Sequence, residues 1–294
     1  MTQARQDGGS GPTALRIQLG AQLRRLRQAR NLTRERAGWE IRASESKISR
    51  MELGRVPFKE RDLADLLTLY GVEETDRADL LSLAQRANAP GWWQQFVDVV
   101  PPWFLSYLGL EEAASLIRAY EVHFVPGLLQ TADYARAVIE QGHAGASAAE
   151  IDRRIELRQT RKKVLNGPDA PRLWAVLDEG VLRRQIGGPA VMRAQVEALI
   201  DASELPNVRL QVVPFGAGTS AAVGCPFAIL RFAEPELTDV VYVEQLTSAI
   251  YLDKPGDVDQ YAVALERACL VAEPPDRTAV FLRKVLYEIT DPDR

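Results

Sequence analysis

The residues of this chain that could do chemistry are chiefly arginines and lysines, and they are unevenly spread. Between Ala14 and Lys59 stand twelve Lys/Arg against four Asp/Glu, a local charge of +8. The whole chain carries −4 and residues 1–13 are neutral, so residues 60–294 carry −12. Guanidinium and ammonium groups at this density neutralise phosphates, and an arginine can also grip guanine O6 and N7 together. A basic head on an acidic body is the asymmetry expected of a DNA-binding module joined to something else.

Other reactive side chains are scarce. His123 and His143 are the two histidines, and neither stands at a spacing that makes a metal or hydrolase motif. Both are expected to be satisfied structural histidines. Cys225 and Cys269 are too few for a disulfide framework or a zinc site, and are expected as buried free thiols in a reducing cytoplasm. The run Phe215–Ser220 is glycine-rich, but it lacks the Lys-Ser/Thr of a P-loop and a strand is expected after it. A flexible inter-strand loop, or a lid, is the simpler reading. Glu244–Ser248 reads as a polar turn. No catalytic constellation, cofactor site or metal site is therefore expected, and the chain is read as a non-enzyme.

Periodicity supplies the elements that must hold the basic residues. Leu15, Leu19, Leu23 and Leu26 recur at helical spacing, which predicts a helix over Ala14–Arg30 stopped by Asn31. Thr33 fits the N-cap of a short helix, Arg34–Ile41, and Ser44 that of a third, Glu45–Leu53, stopped by Gly54. Two short helices across a tight turn make a helix-turn-helix. A fourth helix, Glu60–Tyr70, and a fifth, Glu74–Asn88, complete an all-α domain.

The run TRERAGWEIRASESKISRMELG, Thr33–Gly54, resembles the helix-turn-helix of the XRE (phage repressor and Cro) family, T-Q-E-x-L-A-x-x-L-G-V-S-x-x-x-I-S-x-x-E-x-G. Thr33, Glu35, Ser44, Ile48, Ser49, Glu52 and Gly54 match without a gap. Ala37, Gly38 and Arg42 depart from it; Arg42 replaces the usual turn glycine, so either it takes a positive φ or the turn is rebuilt. The resemblance implies that the second helix of the pair enters the major groove. Glu45, Ser46, Lys47 and Arg50 are then candidate base contacts, and Arg34, Arg55 and Lys59 candidate phosphate contacts. Arg27 and Glu52 match positions that form a structural ion pair in that family. One such domain covers about half a turn of groove, so a homodimer on a pseudo-palindrome of double-stranded DNA is expected.

Past this head the chain changes character. Residues 1–13 read as a disordered leader with no secretory signal, 14–88 as the helix-turn-helix domain, and 89–110 as an aromatic connector. Trp92, Trp93, Phe96, Trp103, Phe104 and Tyr107 in that connector are expected to lock head to body by packing, with a ligand cage or a protein interface as the alternative. Residues 111–294 read as an α+β domain with a mixed sheet. A helix is predicted over Phe104–Tyr120, then helices over Thr131–Gln141 and Ala148–Asn166. A βαβ-like unit follows, with strands Arg172–Leu177 and Val208–Val213 around helix Val191–Ser203. Strands Phe227–Phe232, Val240–Leu246 and Ala249–Leu252 come next, with closing helices Asp257–Ala272 and Asp276–Glu288. No stretch is apolar enough for a membrane span, and a cytoplasmic location is expected.

The order as a whole resembles a group of actinobacterial XRE-type regulators whose C-terminal domain has no known function and is described as antitoxin-like. The segments that carry this are EVHFVPGLLQT (Glu121–Thr131), LWAVLDEGVLRR (Leu173–Arg184) and VVYVEQLTSAIYLDKP (Val240–Pro255). That resemblance implies a transcriptional regulator whose body binds a small-molecule effector or a small partner protein. The alternative it implies is an antitoxin-like protein that neutralises a partner and represses its own operon.

Overall fold

The computed structural model describes residues 11–221, 224–233 and 237–290; residues 1–10 of the expected leader lie outside them. The chain divides into two compact units. One is built on the chain up to Gln95 together with Leu105–Ala113, the other on Phe96–Phe104 and most of the chain from Ala114 onward. The aromatic stretch 89–110 thus contributes to both units.

Among the described residues the first unit opens with α1 (Pro12–Ala29), α2 (Arg34–Glu40), α3 (Glu45–Glu52), α4 (Glu60–Leu69) and α5 (Glu74–Ala87), to which the helical stretch Leu105–Ala113 is added. Helix α1 starts two residues earlier than periodicity suggests, because Pro12 at its first position is already held at a helical φ. Thr33 and Ser44 cap α2 and α3 as expected, their hydroxyls accepting from the amides of Arg36 (3.1 Å) and Lys47 (3.2 Å). Asn31, Gly54 and Gly71 follow α1, α3 and α4 at φ 55°, 64° and 66°, the left-handed conformation that stops a helix. Leu19, Leu23, Ile48, Met51, Leu63, Leu66 and Leu67 close on one another to form the core. These are the apolar residues at helical spacing.

The second unit is a six-stranded mixed sheet with helices. Helix α6 (Pro102–Ala113), within which the division between units falls, leads into β1 (Leu116–Glu121). Then come α7 (Ala132–Gly142), α8 (Ala148–Arg161), β2 (Arg172–Asp178), α9 (Gly180–Arg183), α10 (Pro189–Ser203) and β3 (Val208–Val213). Strands β4 (Phe227–Arg231), β5 (Val240–Glu244) and β6 (Ala249–Leu252) precede α11 (Pro255–Val271) and α12 (Pro275–Thr290). The strand order is β3-β2-β1-β4-β5-β6. Strands β1, β2 and β3 are parallel, with α10 in the β2–β3 crossover; β4, β5 and β6 join antiparallel. One face is covered by α11, whose Val258, Leu265 and Ala268 share a core with Tyr120, Val176, Ile229 and Val241.

The helix expected over Phe104–Tyr120 is wrong in its second half. It ends at Ala113, and Leu116–Glu121 is a central strand between β2 and β4. Ser115 starts the strand: its amide donates to Arg231 O (2.8 Å) and its carbonyl accepts from Arg172 N (3.0 Å). Leucine, alanine and glutamate give this stretch helical composition, but backbone partners on both sides outweigh propensity. The helix expected to run to Asn166 is α-helical only to Arg161, after which Lys162–Leu165 tightens to a 3-10 turn. Phe215–Ala221 is likewise a 3-10 turn rather than an open loop, with Ala217 packed into the α11-side core.

Candidate nucleic-acid interface

Helix α3 is positioned by close backbone approaches that its neighbours' sequences allow. A Cβ on Gly38 of α2 would stand 2.7 Å from Ala43 O and 3.2 Å from Ser44 C, so only glycine lets the turn fold back on α2. The Ala43 amide donates to Gly38 O at 2.7 Å. Gly20 of α1 plays the same part on the other side, where a Cβ would meet Met51 O at 2.5 Å and Glu52 O at 2.6 Å. Arg42 settles the turn by adopting φ 57°. A β-carbon at that φ costs roughly 1–2 kcal/mol, and the surrounding bonds hold it there.

Below α3 the ion pair implied by the family resemblance is present. Arg27 Nε donates to Glu52 Oε1 at 2.5 Å and its Nη2 to Oε2 at 3.1 Å, while Nη1 reaches Leu32 O at 2.5 Å. Both residues are buried. The hydrogen bond to Glu52 raises the Arg27 pKa, outweighing the opposing effect of burial.

The candidate contacts separate into two groups. Glu45, Ser46 and Arg50 are exposed on α3, and Arg50 Nε donates back to Ser46 O at 3.3 Å, which lays the guanidinium along the helix. Arg55 and Lys59 are exposed after α3, and Lys59 occupies the N-cap position of α4. Lys47 is turned elsewhere: its ammonium donates to Asp62 Oδ2 of α4 at 2.5 Å. Arg34 is drawn inward too, donating from Nε to Glu52 Oε2 at 3.0 Å. The structure therefore groups Glu45, Ser46 and Arg50 on one open face and gives Lys47 and Arg34 carboxylate partners.

Sequence reasoning missed Trp39. It is 68% exposed on α2, with the Arg36 guanidinium 4.7 Å from its ring centroid. Arg36 also pairs with Glu40 at 2.5 Å. The signal was available, since Ala37 and Ile41 define the inward face of α2 and Trp39 falls off it. Arg42, exposed in the turn, was considered only for its backbone.

In the second unit a polar cluster stands at the carboxyl ends of β1 and β5. Burial, then the charge of Glu244, pushes the Glu121 carboxyl up to about 8, against the pull of Arg158 and Arg161. Arg158 Nη1 donates to Gln130 Oε1 (2.7 Å) and Lys162 Nζ to Gln130 O (2.8 Å), while Tyr242 Oη donates to Glu244 Oε2 (2.9 Å). His143 Nδ1 lies 3.0 Å from Ile139 O, as befits a structural histidine. Cys269 is an unreactive thiol, its pKa pushed up to about 11 by burial. Among the described residues no three His, Cys, Asp or Glu side chains group to hold a metal ion, and no helix is long and apolar enough to cross a membrane.

A capped, ion-paired α2–turn–α3 with Glu45, Ser46 and Arg50 exposed on α3, followed in the chain by an α+β unit, defines a helix-turn-helix regulator of the DNA-binding class. A family model described as a helix-turn-helix domain matches residues 18–80. A second, described as "Domain of unknown function (DUF5753)", matches residues 104–284 and so spans more than half of the chain. The chain belongs to the DUF5753 family. No curated protein and no solved structure matches it.

Proposed function

We propose that this chain is a sequence-specific regulator of transcription that binds double-stranded DNA as a homodimer, with α3 in the major groove. The observation that carries the reading is the exposed Glu45–Ser46–Arg50 face of α3, set in a segment of charge +8. On this reading Arg50 grips guanine O6 and N7, Glu45 accepts from cytosine N4, and Arg55 and Lys59 hold phosphates. Lys47 and Arg34 each already give a donor to Asp62 and Glu52, so they are secondary contacts. The ungapped Thr33–Gly54 match supports placing the head with the XRE group, and the segments Glu121–Thr131, Leu173–Arg184 and Val240–Pro255 support the actinobacterial branch.

The C-terminal domain, on the same proposal, binds a small ligand or small protein partner and thereby shifts DNA affinity; it has no catalytic step and works in the cytoplasm. Genome-wide mapping of bound DNA, with and without any co-purifying partner, tests this. Discrete sites that share a two-fold motif support the reading. Uniform, sequence-independent occupancy contradicts it. A small protein that copurifies and is inactivated by binding favours the antitoxin-like alternative for the C-terminal domain.

A further inference from the structure

On the sheet face that α11 covers, arginines gather at the amino ends of the parallel strands. Side chains two residues apart share a face, so Arg118 lies on the face of Tyr120, and Arg172 and Trp174 on that of Val176, where α11 packs. Arg118, Trp174 and Arg209 are in register across β1, β2 and β3, and Arg172 and Arg231 flank Leu116 of β1 two residues further out. Arg231 is already neutralised, its Nη2 donating to Asp239 Oδ2 at 2.8 Å. The other three are not: among the described residues Arg118, Arg172 and Arg209 give no hydrogen bond or ion pair to a carboxylate. Arg172 and Arg209 are exposed and Arg118 is half-buried. With strands about 4.8 Å apart and a rise of about 6.6 Å over two residues, Arg172 stands about 8 Å from both Arg118 and Arg209 along the backbone surface. Burial pushes the Cys269 thiol of α11 up, while Arg118 and Arg209 pull it down against Glu266, so both guanidiniums act on one point of α11.

We infer that this patch binds a small molecule carrying two or more linked phosphates. A guanidinium fork presents paired N–H donors that match phosphate oxygens, and three forks around one indole call for more than a single negative charge. The patch is also pre-organised. Trp174 Nε1 donates to Gln211 Oε1 at 2.9 Å, and Gln211 Nε2 donates to Glu273 O at 3.1 Å, which fixes the indole. The Arg209 guanidinium lies over that ring, 4.8 Å from its centroid. Stacking occupies the face of the guanidinium and leaves the donors at its edge for a ligand. Unpaired like charges repel at this spacing, and a bound polyanion relieves the repulsion. A nucleic-acid duplex is the poorer occupant. It presents phosphates along its whole length, and residues 60–294 carry −12, so beyond the three arginines it would meet acids. The inference rests on the reading that the C-terminal domain binds a small effector, and gives that effector its class and its site.

Isothermal titration of the full-length chain with pyrophosphate and with tripolyphosphate tests it, with sulfate for comparison. Both phosphates are expected to bind saturably, roughly tenfold or more tightly than sulfate. Arg172→Gln and Arg209→Gln should each weaken binding roughly fivefold or more, and Arg118→Lys, which keeps the charge but loses the fork, should weaken it less than Arg118→Gln. Arg136→Gln, which removes the same charge from α7, should leave it unchanged. Circular dichroism checks folding, and the Arg172→Gln, Arg209→Gln double variant carries the test if the Arg118 variants do not fold. Absence of saturable binding, or binding that the patch variants leave unchanged, overturns the site. Binding lost with Arg55→Gln but kept in the patch variants puts the anion on the DNA-binding head and overturns it too. ATP separates the sources of the same chemistry: binding tighter than tripolyphosphate makes the effector a nucleotide, equal binding an inorganic polyphosphate, and either supports the site. DNA affinity measured with and without tripolyphosphate separates the two readings. Saturable binding at the patch with DNA affinity unchanged keeps the site and overturns the effector reading, whereas absence of binding overturns the site and leaves the effector reading to another ligand.

Discussion

Arg27 of α1 and Glu52 at the end of α3 form a two-pronged ion pair, with Nε–Oε1 at 2.5 Å and Nη2–Oε2 at 3.1 Å. Glu52 also accepts from Arg34 of α2. One buried carboxylate thus joins the three helices that set the direction of α3. The pair gives fixed geometry more than net stability, since desolvation offsets much of its attraction. Losing one partner is another matter, because a charge is then left buried.

Arg27→Ala is therefore expected to destabilise the N-terminal domain by about 3–5 kcal/mol. Hydrogen exchange of the α1–α4 amides measures this without assuming that both domains unfold together. Protection should fall across that domain and stay unchanged in the sheet. Unchanged protection of α3 would show that the pair does not hold it.

Gly38 and Arg42 give predictions of opposite sign to simple propensity. Alanine is favoured over glycine in a helix by about 1 kcal/mol, yet Gly38→Ala is expected to lower the melting temperature, because its methyl meets Ala43 O. Arg42→Gly is expected to raise stability by about 1 kcal/mol through relief of the positive φ. Thermal melts of the two variants separate the effects. A stabilised Gly38→Ala would mean that the turn shifts freely.

Glu121 predicts a pH dependence in the C-terminal domain. Its carboxyl titrates near 8 in the folded chain against a usual 4.5, because burial and Glu244 oppose its charge. A raised acid pKa means that the folded state holds its proton longer than the unfolded one. Folding is thus most favoured below pH 4.5, and this contribution is lost progressively as pH rises from 4.5 to about 8. Glu121→Gln, which stays neutral, should remove that loss and raise the stability of the domain at pH 8 relative to wild type. Denaturant midpoints at pH 5 and pH 8 check it. A Glu121→Gln chain with the wild-type pH slope would show that another group titrates.

The N-terminal domain was readable because its signals are local. Caps at Thr33 and Ser44, stops at Asn31 and Gly54 and a leucine period of three and four need no distant partner to act. Where local rules gave two answers, at Arg42, only the bonded turn decided. The candidate contacts were legible as residue types but not as directions, since Asp62 and Glu52 lie well away in sequence from Lys47 and Arg34, whose ends they hold. In the C-terminal domain the strands rich in valine and isoleucine were plain. Strand β1 was not, because Leu116–Glu121 looks helical until β2 and β4 flank it. The Glu121 cluster went unseen for a related reason: Glu121 and Glu244 converge only through the sheet, and Arg158 joins them from α8.

The central claim, that α3 reads base sequence through Arg50, is tested most directly by Arg50→Ala measured against a bound site mutated one base pair at a time. The account predicts a loss of about 1–3 kcal/mol that vanishes when one guanine position is replaced, with discrimination elsewhere kept. An equal loss on every sequence, with a shallower salt dependence, would make Arg50 a phosphate contact and contradict the claim.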